Sequence, residues 1–151
     1  MKLYIDADAC PGPVKEIVLR AATRLALPLV LVANQPLKRP PGRGVRVVTV
    51  SAGFDAADDW IVAAAEAGDV VISADIPLAA KLVANGVAVI NPRGALYTPD
   101  NIGEVLSLRN AMDELRSAGL AQTRTAPFGE RDRQAFAATL DRLLARRPRG
   151  G

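Results

Sequence analysis

The stretch that decides the fold is Leu3-Tyr4-Ile5-Asp6-Ala7-Asp8-Ala9-Cys10-Pro11, an apolar run that ends in two acids. It predicts a buried strand over residues 2–6, and the alternation of side chains along a strand would place Asp6 and Asp8 on the same face. Two carboxylates roughly 5 Å apart repel each other by about 3 kcal/mol at an effective dielectric of about 20. A folded protein keeps such a pair most readily when a cation or a shared proton offsets the repulsion. The pair therefore predicts a metal site or an acid/base site.

Two further acidic clusters follow the same plan. Asp75 ends the apolar run Val70-Val71-Ile72-Ser73-Ala74 and precedes Ile76-Pro77. Asp55, Asp58 and Asp59 open a predicted helix. In open α/β sheets, ligands bind outside the carboxyl ends of the strands, where the strand order reverses. If the first and fourth strands are neighbours, we expect Asp6, Asp8 and Asp75 to converge in a single cleft.

Each of these acids also has a structural interpretation. Asp8 is placed to cap the helix that begins near Pro11 or Pro13, and Asp75 to serve as a turn residue before Ile76-Pro77. Asp55 resembles an N-cap followed by an acidic first turn. On a helical wheel Asp58 falls on the stripe of Ile61, Val62 and Ala65, whereas Asp59 falls with Ala63 and Glu66. Asp58 is therefore the better candidate for the cleft, and which of the three acids face it is left open.

Composition limits the chemistry that this site can perform. The 151 residues include no histidine, which excludes a Ser-His-Asp triad and the usual histidine ligands of zinc. Catalysis would have to use carboxylates, which suit hard cations such as Mg²⁺ or Mn²⁺. The single cysteine, Cys10, cannot form an internal disulfide, which fits a reducing cytoplasm. Neighbouring carboxylates should raise the pKa of its thiol, so a nucleophilic role is not expected.

Alternation of strands and helices predicts the fold class. Strands are expected at residues 2–6, 28–33, 45–50, 70–74 and 87–90, and helices at 14–26, 55–67, 77–84, about 100–118 and about 130–146. The continuous apolar runs suit strands that are covered on both faces. We therefore expect an α/β protein: a three-layer α/β/α sandwich with a mostly parallel sheet. It should form one domain over residues 1–146, followed by a flexible basic tail over 147–151.

The search for targeting segments and the positions of the basic residues bear on the location and the binding partners of the protein. No apolar run approaches the ~20 residues of a membrane helix, and Asp6 and Asp8 interrupt the only candidate for a signal peptide. The formal net charge is +3. Loop or helix-start positions make the following residues candidates for binding phosphate or nucleic acid: Lys15, Lys38, Arg39, Arg43, Lys81, Arg93 and Arg109. Surface charges that only aid solubility would give the same pattern.

Taken together, the motifs resemble a known family. The matching segments are Asp6-Ala7-Asp8-Ala9-Cys10-Pro11, Gly53-Phe54-Asp55-Ala56-Ala57-Asp58-Asp59, Ala74-Asp75-Ile76-Pro77-Leu78-Ala79, Asn91-Pro92-Arg93-Gly94 and Pro127-Phe128…Asp132-Arg133…Phe136. They are similar to those of the YaiI/YqxD family of uncharacterised bacterial proteins, within the PIN-like group of domains. The resemblance implies a PIN-like α/β/α fold, in agreement with the periodicity.

The resemblance also implies an activity. PIN domains are typically Mg²⁺- or Mn²⁺-dependent ribonucleases whose acids hold the metal. By this resemblance, Asp6, Asp8, Asp58 and Asp75 would be catalytic, and the same four acids with Asp59 would be the metal ligands. The expected reaction is phosphodiester hydrolysis by water activated by the cation, with single-stranded RNA as the partner. The oligomeric state is left open.

Two other functions remain open at this point. An Asp-x-Asp motif after a first strand also begins haloacid-dehalogenase-like phosphatases, although Cys10 and Pro11 here depart from that motif. A non-catalytic module that binds RNA or protein, and keeps the acids for structure, is the other alternative.

Overall fold

The computed structural model describes residues 1–38, 42, 44–51, 53, 55–120 and 126–147. Its strands are β1 (Leu3–Asp6), β2 (Leu29–Ala33), β3 (Val45–Thr49), β4 (Val70–Ile72), β5 (Ala88–Ile90) and β6 (Leu96–Tyr97). Its helices are α1 (Gly12–Leu25), α2 (Ala56–Ala64), α3 (Ile76–Ala84), α4 (Ile102–Ser117) and α5 (Glu130–Leu144). None of the helices in these residues is long and apolar enough to cross a lipid bilayer.

The strands form one sheet in the order β3-β2-β1-β4-β5-β6. β1 through β5 pair in parallel, and β6 is antiparallel to β5. The chain builds one half of the sheet outward from β1 to β3 and then returns to start the other half at β4. The order therefore reverses between β1 and β4, whose pairing confirms the expected neighbourhood of the first and fourth strands.

Helices cover both faces of the sheet, which confirms the three-layer α/β/α architecture. On one face, α1 and α5 pack against alternate strand residues in a cluster that includes Leu3, Ile5 and Phe136. On the other face, α2 and α3 bury the remaining residues, Tyr4 and Val71 among them, and α4 packs at the margin. Adjacent strand residues point to opposite faces, and helices cover both faces of this sheet. Every residue of β2 is therefore buried, and the strand has no alternation of apolar and polar residues.

The start of α1 and the buried face of α5 follow from identifiable residues. α1 begins at Gly12 with Pro13 in its first turn, where the missing proline N–H costs no hydrogen bond. The sequence predicts an apolar stripe on α5 formed by Phe136, Leu140, Leu143 and Leu144, and the burial of all four residues confirms it.

Other local expectations were wrong. The sequence predicts that α2 runs to about residue 67 with Gly68 as its C-cap, but the helix ends at Ala64 and Gly68 occupies a turn with φ 92°. The short antiparallel strand β6 was not anticipated. β1 ends at Asp6, and Asp8 lies in a 3-10 turn over Ala7–Ala9, so strand alternation does not relate the two acids.

One buried acid lies at the opposite end of the sheet from the predicted cleft. Asp69, immediately before β4, is only 5% exposed. Its Oδ1 accepts a hydrogen bond from the backbone N–H of Lys2 and its Oδ2 one from that of Glu66, both at 2.9 Å. Both carboxylate oxygens are thus satisfied by main chain, and the residue joins the start of β1 to the turn before β4.

At the C-terminus, Arg147 is half-buried and its guanidinium donates to the carbonyl of Leu144 at 2.8 Å. The first residue of the predicted tail is therefore packed against the end of α5. The rest of the tail, residues 148–151, lies outside the described residues.

Candidate acidic site

Two adjoining cavities lie beyond the carboxyl ends of β1 and β4, where the strand order reverses. The first, which we call the β1 cavity, has a volume of about 500 Å³ and is lined by Asp6, Asp8 and Asn34. The second, the β4 cavity, has a volume of about 490 Å³ and is lined by Asp75, Lys81 and Arg109 among others. Asp55 and Asp58 line both cavities and form the wall between them. The acids expected in a single cleft are therefore distributed over two neighbouring spaces.

Asp6 lies at the centre of this arrangement because it is the last residue of the central strand. Its Oδ2 accepts a hydrogen bond of 3.2 Å from the hydroxyl of Ser73. The Ser73 Oγ in turn accepts one of 3.0 Å from the backbone N–H of Asp75. Burial raises the pKa of the Asp6 carboxyl, the charges of Asp75 and Asp8 raise it further, and the Ser73 hydrogen bond opposes them. Ser73, itself 2% exposed, thus links the two strand-end acids.

Asp8 is positioned by a contact with the end of β2 rather than by a helix cap. Its Oδ2 accepts a hydrogen bond of 2.7 Å from the backbone N–H of Asn34. The side-chain Oδ1 of Asn34 is buried and has no hydrogen-bond partner among the described residues. A buried acceptor without a partner is costly unless a donor or a cation reaches it. Asn34 lines the β1 cavity with Asp6 and Asp8, and its buried side-chain oxygen has no partner among the described residues.

The three acids of α2 have different surroundings. Asp55 is the N-cap residue, in the left-handed region with φ 60°, which brings this exposed acid to the rim of both cavities. Asp58, one helical turn on, is half-buried between the cavities. Asp59 is exposed and lines neither of them. The helical wheel favoured Asp58 over Asp59, in line with their positions in the structure, and Asp55, which the sequence left open, lines both cavities.

Asp58 and Asp75 line the β4 cavity together, and burial as well as Asp75 raises the pKa of Asp58. Burial is the largest cause that raises the pKa of Asp58, to about 7, and a hydrogen bond between its carboxyl and that of Asp75 comes next. The charges of Asp75, Asp6 and Asp55 act in the same direction. Two carboxyls in hydrogen-bond contact must share a proton, or a cation must take its place. Asp75 also caps α3, because its Oδ1 accepts from the backbone N–H of Leu78 at 2.9 Å.

The basic candidates divide into two groups. Lys81 on α3 and Arg109 on α4 line the β4 cavity beside Asp58 and Asp75. Arg109 is held in place by Asp113, whose Oδ2 lies 3.2 Å from its Nη1.

Of the other basic candidates, those that the structure describes line neither acidic cavity. Arg93 is used structurally, because it donates to Asp132 at 2.9 Å and to the carbonyl of Ala126. Lys15 and Lys38 line neither acidic cavity. Arg39 and Arg43 lie outside the described residues.

Cys10 is half-buried beside the acids. The pKa of its thiol is raised to about 12. The largest cause is burial; Lys15 lowers the pKa and Asp6 raises it. The expected direction is therefore right, but burial rather than the neighbouring carboxylates is its main cause.

The donor atoms of the site fit a hard divalent cation in kind. They are carboxylate oxygens and the amide oxygen of Asn34, which are the ligands that Mg²⁺ and Mn²⁺ take. In this conformation, however, no three His, Cys, Asp or Glu side chains of the described residues are arranged so that they could hold one ion. The site as it stands is a carboxyl pair, Asp58 and Asp75, with Asp6 and Asp8 nearby.

Sequence reasoning missed Asn34 and Ser73. Asn34 follows β2 directly and Ser73 follows β4, so each occupies the same kind of position as the acids it contacts. A polar residue just after a buried parallel strand is the signal that would have found both.

Comparison with known proteins places the chain in a family. The family model described as "Uncharacterized BCR, YaiI/YqxD family" matches residues 4–146. The chain is 52% identical over 151 residues to a UPF0178 protein of Halorhodospira halophila, covering the whole of both chains. It is 53% identical over 152 residues to the UPF0178 protein YaiI of Escherichia coli, covering 99% of this chain and 100% of the relative. No solved structure matches. The chain belongs to the YaiI/YqxD family.

Proposed function

We propose that the protein is a divalent-metal-dependent nuclease that hydrolyses phosphodiester bonds in single-stranded RNA. Asp6, Asp8, Asp58 and Asp75 would hold Mg²⁺ or Mn²⁺. The observation that carries the proposal is the position of Asp58 at the reversal of the strand order, where it lines one cavity with Asp6 and Asp8 and the other with Asp75. Several carboxyl groups lie at this position, and the chain has no histidine that could act as a general base. Both features favour metal chemistry over a nucleophilic triad.

The protonation of this pair supports a cation site. With the pKa of Asp58 near 7, the pair keeps one proton up to about neutral pH. A cation that replaced this proton would relieve the repulsion among Asp58, Asp75 and Asp6. When bound, the ion would neutralise the carboxylates and stabilise negative charge on the reacting phosphate.

The basic residues of the β4 cavity support a phosphate ester as the substrate. Lys81 and Arg109 line the same space as Asp58 and Asp75. Within the described residues Lys81 makes no ion pair, so its ammonium group is free to bind an anion. An acidic cleft alone repels a polyanion, and these two cations supply the attraction that binding would need. Asp59 is left out of the ligand set because it is exposed and outside both cavities.

The direct test is metal-dependent cleavage of labelled single-stranded RNA. We expect cleavage by the parent protein with Mn²⁺ and none with chelator. Asp6→Asn and Asp75→Asn should each reduce the rate by about 10- to 100-fold or more. Asp59→Asn is the matched control, since it makes the same change next to Asp58 but outside the cavities. Cleavage that survives Asp6→Asn undiminished would refute the assignment and point to a contaminating nuclease.

One observation favours a second function. Because no three acids of the described residues are arranged to hold one ion, a non-catalytic RNA-binding module fits the present conformation. Binding of RNA by the parent with Mn²⁺, without cleavage, would favour that function. A chromogenic phosphomonoester in the same assay tests the haloacid-dehalogenase-like alternative, which predicts turnover of the monoester and not of RNA.

A further inference from the structure

A third cavity, separate from the acidic site, lies near the amino ends of β1, β2 and β3. It has a volume of about 490 Å³, which is in the range of ligand pockets. Four of the side chains that line it, Lys2, Tyr4, Arg46 and Trp60, are aromatic or basic. We call it the aromatic pocket. Its lining contains no acid, in contrast to the two cavities at the other end of the sheet.

The aromatic side chains of this pocket are those of Tyr4, which is buried, and Trp60, which is partly exposed. Tyr4 is buried in β1, and its hydroxyl donates to the carbonyl of Ala64 at 3.3 Å. The ring of Trp60 on α2 packs against Tyr4, with ring centroids 6.3 Å apart and an angle of 58° between the planes. Trp60 is only partly buried. The Trp60 ring thus packs against Tyr4, while the residue as a whole keeps part of its surface exposed.

The lining of the pocket carries two basic side chains and no acid, although the charges of Asp69 and Glu66 also reach Tyr4. Lys2 and Arg46 are both exposed at its rim. Within the described part of the chain neither side chain forms an ion pair or a hydrogen bond with an acid. Asp69 is close to Lys2, but both of its oxygens are held by backbone N–H groups and it does not line the pocket. The two cations are therefore available to an anion.

We propose that the aromatic pocket binds one nucleotide of a single-stranded nucleic acid. Its base would stack on Trp60 and its phosphate would lie between Lys2 and Arg46. Accessible aromatic faces beside basic side chains are the features with which proteins bind single strands without reading their sequence. The inference goes beyond the proposed hydrolysis, because a protein that binds RNA without cleaving it would use the pocket in the same way.

The position of the pocket favours a strand over a free nucleotide. Tyr4 and Asp6 are two residues apart on β1, which corresponds to about 7 Å along the strand. A strand whose base occupied the aromatic pocket would therefore pass close to the acidic site. This link rests on the proposed function, whereas binding in the pocket does not.

The test uses the fact that Trp60 is the only tryptophan in the chain. The parent protein is titrated in chelator, so that metal-dependent hydrolysis is absent and failure of one proposal is distinguishable from failure of the other. A short oligouridylate should quench the tryptophan fluorescence, and inorganic polyphosphate of matched charge should not. Uridine monophosphate should compete far more weakly than the oligonucleotide.

Variants assign the binding to individual side chains. Trp60→Leu should raise the dissociation constant for a labelled oligouridylate, measured by fluorescence anisotropy, by about tenfold. Arg46→Gln should raise the dissociation constant severalfold. It should also reduce, by about one, the slope of the logarithm of the binding constant against the logarithm of the salt concentration. The matched control is Arg131→Gln, which removes the same charge from an exposed position on α5, on the opposite face of the sheet. It should leave binding nearly unchanged.

Several outcomes would overturn the proposal. Equal dissociation constants for Trp60→Leu, Arg46→Gln and Arg131→Gln would show that the pocket does not bind the strand. Equal competition by polyphosphate, by the mononucleotide or by an acidic peptide would each rule out a site for a nucleic acid strand. If Trp60→Leu fails to fold by circular dichroism, Trp60→Phe keeps an aromatic face and should retain most of the binding, while Arg46→Gln still tests the charge.

Discussion

The two ends of the sheet treat their acids in opposite ways. At the amino end, Asp69 is buried with both carboxylate oxygens bound to backbone N–H groups. At the carboxyl end, Asp8 and Asp75 each use one oxygen for a backbone N–H, and burial and the charges of Asp75 and Asp6 raise the pKa of Asp58. An acid whose two oxygens are satisfied by main chain stabilises the fold. Acids that meet one another with oxygens to spare cost stability, and that cost is the better sign of a binding site.

The largest expected effect comes from making the same substitution at both ends. Asp69→Asn places an amide group against one of the two backbone donors, so it removes one hydrogen bond and takes the charge from the other. We expect a loss of about 3 kcal/mol in the free energy of unfolding. Asp75→Asn should change it by less than about 1 kcal/mol, because asparagine caps a helix as well as aspartate does. Urea unfolding in chelator at neutral pH measures both, and equal losses would erase the contrast between the two ends.

Metal should act on one end only. We expect Mn²⁺ at a concentration near 100 times its dissociation constant to stabilise the parent by about 2.7 kcal/mol. Asp6→Asn and Asp75→Asn should lose most of this gain, whereas Asp59→Asn should keep it. Thermal unfolding with and without Mn²⁺ makes the measurement. A melting temperature of the parent that does not respond to Mn²⁺ would contradict the cation site.

The acid pair should also give stability a characteristic dependence on pH. In the folded state the pKa of Asp58 is about 7, and in the unfolded chain it returns to its ordinary value near 4. Between these values unfolding releases the proton, so this residue makes the apo protein less stable as pH rises from about 4 to about 7. Asp58→Asn should remove that contribution and stabilise the apo protein at pH 7 by about 1 kcal/mol, a figure reduced because the carboxyl is partly exposed. Urea unfolding across this pH range in chelator tests the sign, and a less stable Asp58→Asn at pH 7 would contradict it.

The smallest effect is expected one residue further along α2. Asp59 is exposed and lines neither acidic cavity. Asp59→Asn should change the free energy of unfolding by less than about 0.5 kcal/mol, with no dependence on Mn²⁺. The comparison with Asp58→Asn therefore tests whether the acidic site includes Asp58 but not Asp59. A change in Asp59→Asn that matched Asp58→Asn in size and pH dependence would extend the site to the outer face of the helix.

Sequence reasoning predicted the elements better than it predicted their ends. Strand and helix periodicities hold over several residues, so β1 to β5 and all five helices were identified from local patterns. β6 was missed because two residues, Leu96 and Tyr97, are too short to show a period. The end of α2 was misplaced because Gly68 gives a strong local signal, yet the chain leaves the helix at Ala65 in extended conformation.

In the site, the sequence identified residues and the tertiary structure chose their partners. The strand-end positions of Asp6 and Asp75 were readable because each follows an apolar run. Alternation along a strand gave the wrong reason for pairing Asp6 with Asp8, since the strand ends between them. Asn34 and Ser73 were overlooked because their contacts with Asp8 and Asp6 join residues 26 and 67 positions apart.

By itself, the sequence determined the α/β alternation, the family and the set of acids that follow buried strands. These depend on side-chain periodicity and on short motifs, which are local properties of the chain. Only the tertiary structure decided that β1 and β4 are neighbours, that Asp58 meets Asp75, and that Asp69 is satisfied by main chain. The physical reason is that a carboxylate's environment depends on which atoms surround it. Strand order and helix packing bring those atoms from distant parts of the chain.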